Sequence, residues 1–164
     1  MHSDTEISIN LRKAMPEDLE NVLSLYKDVV GAIPEGDYNN DQLQVWRHLG
    51  NDRQRWDLAI RDQFFIVAEH ERRLIGFGSL KGSYYLNLMY VDSRYWRKKV
   101  ASRIYGTLES EALQNGASAL ISDVSLTALP FFRSRGFISQ RENRKILNGI
   151  EIVNFRMLKR LHLP

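Results

Sequence analysis

An apolar strand that runs into a basic turn and then an amphipathic helix constrains this chain more than any other stretch. Leu86–Val91 is the strand, and Arg97-Lys98-Lys99 lie in the polar turn and open the helix. Val100, Ala101, Ile104, Tyr105, Leu108 and Ala112 then recur at helical spacing, and Asn115-Gly116 closes the run. The next segment, SALISDV, is again a strand. A strand–helix–strand crossover therefore spans residues 86–123. Backbone N–H groups at a helix start have no internal partner, and lysines and arginines around them favour phosphate. An anion site is expected there, although a run of charges such as Arg94, Arg97, Lys98, Lys99 and Arg103 also suits a solvated helix face.

Hairpins flank the crossover. QFFIVAEH and LIGFGSLK read as strands around the tight turn ERR, and YYLNLMYV follows. Phe137–Leu147 and Ile150–Leu161 read as strands across Asn148-Gly149, a strong hairpin signal. At the start, ISINLRK alternates like a strand, and Pro16 opens a helix carrying Leu19, Val22, Leu23, Tyr26, Val29 and Val30. One or two short helices follow through Trp46 and Trp56, and another covers Thr127–Arg135. The expectation is one α+β domain over residues 1–164, with a mixed sheet of six to seven strands and about four helices. A ligand belongs at the carboxyl end of the strand feeding the basic helix.

Composition excludes some chemistry. The 164 residues contain no cysteine, so disulfides, thiolate metal sites and a cysteine nucleophile are ruled out. No His/Asp/Glu spacing suggests a metal. A net charge of +3 is too mild to imply nucleic acid. No apolar run is long enough for a membrane span, and the start MHSDTEISIN lacks signal-peptide features, so a cytoplasmic protein is expected.

Several motifs in order resemble the GNAT (GCN5-related N-acetyltransferase) superfamily. ISINLRKAMPEDLENVLSLY is similar to its first strand and helix, LIGFGSL to its third strand, and ALPFFRSRGF to its final motif, Ala-x-x-Phe-Tyr-x-x-x-Gly-Phe. Tyr38, Trp46, VDSRYW, DVSLTALPFF and the closing NFRM resemble most the YafP-like branch. Against the superfamily's pyrophosphate pattern Arg/Gln-x-x-Gly-x-Gly/Ala stand Trp96, Arg97, Lys98, Lys99, Val100 and Ala101, of which only Ala101 fits. Lys99 stands at a glycine position, where a helical lysine carries no backbone strain. Phe132 stands where tyrosine often acts as general acid, and Ser125 where asparagine often contacts cofactor.

The resemblance implies acetyl transfer from acetyl-CoA to an amine by direct attack on the thioester, with no metal. It implies pantetheine pairing near Met89, Tyr90 and Val91, and cofactor contacts from Arg97, Lys98, Lys99, Val100, Ala101, Ser102 and Phe132. The acceptor could be a small-molecule amine, an amino acid, a polyamine, an aminoglycoside or a protein amine. A second copy of the chain is a candidate partner. The rivals are an acyl-CoA-binding module without turnover and a basic nucleic-acid-binding domain.

The catalytic candidates carry plainer readings too. Asp123 could be a base or orient the amine, or it could cap a helix or bond the loop backbone. Ser125 could touch cofactor or thiolate, and Ser125 and Thr127 could equally be caps. Tyr85, placed by period-two alternation on one face with Asn87 and Met89, could take part directly or wall the acceptor pocket. Tyr38 and Trp46 could line the acceptor mouth, though Trp46 and Trp56 also suit the core. His48 is base-like by its ordinary pKa, whereas His2, His70 and His162 carry no spacing signal.

Overall fold

The computed structural model describes residues 6–162; His2 and the rest of residues 1–5 lie outside them. Twelve elements follow one another: β1 (Asn10–Lys13), α1 (Leu19–Gly31), α2 (Asn40–His48), α3 (Arg53–Asp62), β2 (Phe64–His70), β3 (Arg73–Lys81), β4 (Tyr85–Val91), α4 (Val100–Gln114), β5 (Ala119–Ser125), α5 (Leu129–Ser134), β6 (Ile138–Leu147) and β7 (Ile150–Arg160). Five helices are present rather than about four, because Asn39 and Asp52 cap separate helices between Gly36 and Gln63. The Asn39 side chain accepts from the Gln42 N–H, and that of Asp52 from the Arg55 N–H. The first strand is shorter than its alternation suggests, since only Asn10–Lys13 pair with β2.

The seven strands form one sheet in the order β1-β2-β3-β4-β5-β7-β6. All neighbours are antiparallel except β4 and β5. One face packs on α4 and α5 around Ile104, Leu108, Leu120 and Met157, and the other on α1 and α3 around Val22, Val30, Trp56, Phe65 and Phe77. Burying both faces is the main source of stability in such a layered domain. Helix α4 sits so close to β3 that a Cβ at Gly78 would come within 2.7 Å of Ile104, and one at Gly76 within 2.9 Å of the same side chain. Among the described residues no helix is long and apolar enough to cross a membrane.

Two features of β4 position the site. The first is a bulge. Leu80 pairs with Leu86 but Ser79 pairs with Leu88, so Asn87 is an extra residue. The side-chain alternation flips there: Leu86 joins the α4 face, whereas Leu88 and Tyr90 pack on the α1 face. Tyr85, Asn87 and Met89 therefore do not share a face as strict alternation predicts; Met89 packs with the α4 side. The second is a parting of strands. β4 and β5 share a single paired position, Tyr85 with Ile121, reinforced by the Ser122 hydroxyl donating to the Leu86 carbonyl at 2.8 Å. Beyond it the two strands separate.

Candidate active site

Parting two strands leaves backbone groups unpaired. Asp92 N–H donates to the Ile75 carbonyl at 2.8 Å, which fixes the phase of the β3–β4 ladder. In an antiparallel pair alternate residues bond across, so Tyr90 and Leu88 are spent on β3 while Met89 and Val91 present their groups to the gap. Tyr90 is thus not available for backbone pairing with a ligand; its side chain points to the α1 face, beside Tyr26 at 5.1 Å between ring centroids. The Val91 carbonyl already accepts from the Trp96 indole N–H at 3.0 Å.

The gap opens into a cleft of about 550 Å³ that reaches both faces of the sheet. Its first end lies at the start of α4. The helix begins at Val100, so Arg97, Lys98 and Lys99 form the preceding turn rather than the first helical turn. Among the described residues the N–H groups of Lys99, Val100, Ala101 and Ser102 find no acceptor. They are the orphan donors of a helix start, with the dipole behind them. Lys99 sits at φ +65° and Arg97 at φ +62°, both left-handed. The expectation of an unstrained helical lysine is therefore corrected: Lys99 is the residue before the helix, in a conformation that glycine adopts freely and lysine does not. Arg97, Lys99, Val100, Ala101 and Ser102 line the cleft; Lys98 does not. Arg135 bonds the Ser102 hydroxyl and stacks on Phe131 at 5.0 Å. Phe132 is buried and walls the same end.

The other end lies between β4, β7 and helices α1 and α2. Asp123, from β5, is held by three partners from three other strands. Arg156 donates to it twice, at 2.9 Å each, Tyr85 OH at 2.6 Å, and Asn143 at 2.7 Å. Burial alone would raise this carboxyl, but hydrogen bonds from Arg156, Tyr85 and Asn143 outweigh it and hold the pKa at about 2. Asp123 neither caps a helix nor has the basicity of a general base. Burial, and then Asp123, push the Tyr85 hydroxyl above its ordinary range, so it is a donor to Asp123 and not a base.

Ser125 and Thr127 differ. Ser125 Oγ accepts from the Ala128 N–H at 3.2 Å and has no acceptor for its own proton among the described residues. Thr127 donates to Asp37 at 3.0 Å. Tyr38 is a tie that the sequence does not announce: its hydroxyl accepts from Leu126 N–H at 2.9 Å and donates to the Val153 carbonyl at 2.8 Å, joining the α1–α2 connection to the β5–α5 turn and β7. Trp46 stacks edge-on against it at 5.3 Å, and both line the cleft. Trp56 is core. His48 is exposed and faces Asn51, and His70 bonds the Ser8 carbonyl; neither lines the cleft. Sequence reasoning missed Arg156 and Asn143, and named Asn87 without foreseeing the bulge. Among the described residues no three His, Asp or Glu side chains converge as metal ligands would.

Comparison with known proteins agrees with this architecture. The model of an acetyltransferase (GNAT) domain matches residues 34–159. The chain is 27% identical over 150 residues to the uncharacterized N-acetyltransferase YafP of Escherichia coli (strain K12), covering 92% of this chain and 95% of that protein. A crystal structure from Rhodopseudomonas palustris, described as a GCN5-related N-acetyltransferase and as an aminotransferase, class-II, superposes with a TM-score of 0.90 at 28% identity, covering 94% of this chain and 98% of that one. The PaiA N-acetyltransferase of Thermoplasma acidophilum, solved in complex with coenzyme A, gives a TM-score of 0.76 at 20% identity, covering 94% of this chain and all, 100%, of that one.

Proposed function

Because the chain belongs to the GNAT acetyltransferase domain family, we propose that it moves an acetyl group from acetyl-CoA to a primary amine by direct attack, with no metal. The observation that carries this reading is the single cleft running from unpaired N–H groups at the start of α4, through the β4–β5 gap, to the α1–α2 side. Acetyl-CoA supplies the activated thioester when bound. The N–H groups of Lys99 to Ser102, with Arg97 and Lys99, suit its diphosphate. The free groups of Met89 and Val91 suit an amide-bearing arm such as pantetheine, which replaces the missing strand pairing.

The proton steps follow from which groups are free. Asp123 at about 2 and Tyr90, which burial pushes up to about 12, bracket neutrality widely, and no histidine lines the cleft among the described residues. The amine therefore loses its proton to solvent in the open cleft, not to a protein base. Asp123 is a positioning residue: it ties Arg156, Tyr85 and Asn143, from three other strands, into the wall behind the cleft. Phe132 cannot donate a proton. The hydroxyl of Ser125 is free to donate to the departing thiolate, whereas those of Thr127, Tyr38 and Ser122 are already committed to Asp37, Val153 and Leu86.

Acetyl-CoA should raise the melting temperature, because it binds only the folded state. A primary amine should then release free thiol. No melting shift at millimolar acetyl-CoA overturns the cosubstrate. A shift with no thiol release across amines supports the second reading, an acyl-CoA-binding module without turnover, which the saturated Asp123 favours.

A further inference from the structure

We infer that the acceptor is a compact monoamine with an apolar body, not a polycation and not an amino acid. This rests on the acetyl-transfer reading and names the substrate for that same cleft. The acceptor end is walled by Val29, Ile33, Trp46, Leu49, Leu147 and Ile152. Val29, Trp46, Leu147 and Ile152 come from α1, α2, β6 and β7, and Ile33 and Leu49 from the connections after α1 and α2, so the apolar lining is not the side effect of one amphipathic helix. Among the described residues Asp123 is the sole acidic side chain lining the cleft, and both its oxygens are taken by Arg156, Tyr85 and Asn143.

Charge bookkeeping then sets the selectivity. A polyamine or aminoglycoside carries further ammonium groups, and each needs a carboxylate or water to replace its hydration. Among the described residues no unpaired carboxylate lines this cleft. A free amino acid brings a carboxylate instead, and the cations that line the cleft, Arg97 and Lys99, stand at the opposite end, with the diphosphate site. The acceptor end offers a chemically neutral body mainly apolar contact, and the other polar side chains lining the cleft there, Tyr38, Asn87, Tyr90 and Asn154 among them, are uncharged. An alkyl or arylalkyl amine uses all of that wall and leaves a single nitrogen to reach the thioester through the gap.

The test measures kcat/KM by thiol release with acetyl-CoA at saturation, using n-butylamine, n-pentylamine, n-hexylamine and phenethylamine against spermidine, kanamycin and leucine. The expected result is a rise of about three- to fourfold per added methylene until the wall is filled. Phenethylamine should exceed spermidine, kanamycin and leucine by on the order of a hundredfold. Ile152→Asp should cut phenethylamine turnover at least tenfold while raising spermidine, and Leu147→Asp, nearer the open edge, repeats the test if the first variant does not fold. A flat response to chain length overturns the inference, as does spermidine, kanamycin, leucine or a peptide amino terminus outrunning every monoamine; acetyl transfer itself would stand. Absence of thiol release from all acceptors, despite a melting shift with acetyl-CoA, removes the acetyl-transfer reading and this inference with it.

Discussion

The two ends of the cleft are built on opposite plans. At the start of α4, backbone donors and cations are left without partners. Around Asp123, every charged group is matched within the protein. A polar group left open at a helix start is stabilised by a ligand, while a saturated one is framework. The comparison thus separates where a ligand's charge belongs from where its apolar body belongs. It also shows why Asp123, with both oxygens bonded and its pKa held low, is poorly suited to act as the base.

The largest effect should come from pH. With no base titrating near neutrality, kcat/KM should rise about tenfold per pH unit between about 6 and 9, and level off only near the acceptor's own pKa. A plateau near pH 7 would show an enzymic base and break the contrast. Next, Ala101→Glu places a carboxylate among the open donors and should weaken acetyl-CoA at least a hundredfold by calorimetry in a protein whose far-UV spectrum is unchanged. Equal affinity would put the diphosphate elsewhere.

At the saturated end, Asp123→Asn strands Arg156 and should cost about 2 kcal/mol, or about 4–8 °C in melting temperature. The folded pKa of about 2 lies below the ordinary carboxylate value, so this stability is full above about pH 4 and disappears as pH falls through 2. The variant should lack that acid limb in urea titrations at stepped pH. An unchanged limb would mean that the network is not what holds Asp123 ionised. Ser125→Ala should lower kcat about tenfold, and less in a Phe132→Tyr background, if the two positions share thiolate protonation. Strict additivity would leave Ser125 as a turn-forming group alone. The smallest change is Lys99→Gly. Relief of the left-handed backbone should add about 1 kcal/mol of stability. Loss of one cation should weaken acetyl-CoA a few-fold and flatten its salt dependence. Tighter binding instead would make Lys99 an obstruction.

The sequence reads out the sheet well because its signals are local. The hairpin turns, the 86–123 crossover and the basic helix start all lie within short windows. Counting back from Asn148-Gly149 even places Asn143 opposite Asn154. The bulge at Asn87 is hidden for a physical reason. Both sheet faces are buried, so Leu86, Leu88 and Tyr90 keep an apolar period through the slip, and Asn87 reads as an ordinary alternate position of the strand. The partners of Asp123 lie 20, 33 and 38 positions away and meet it only through strand pairing. The Lys99 side chain itself gives no warning of its left-handed backbone, since turns of that kind are usually betrayed by glycine or asparagine; only the glycine of the superfamily pattern at this position hinted at it. The helix count rose because two short caps, Asn39 and Asp52, divide one polar stretch.

The single rung between β4 and β5 has a mechanical meaning. The sheet is two leaves, β1–β4 and β5–β7–β6, riveted at Tyr85 and Ile121 and strapped by α4. A cosubstrate lying in the slot would act as a second rivet, so the Met89 and Val91 amides should exchange with deuterated solvent quickly in its absence and slowly in its presence. The leaves would breathe most when acetyl-CoA runs short, and susceptibility to proteolysis would then follow the supply of activated acetyl groups.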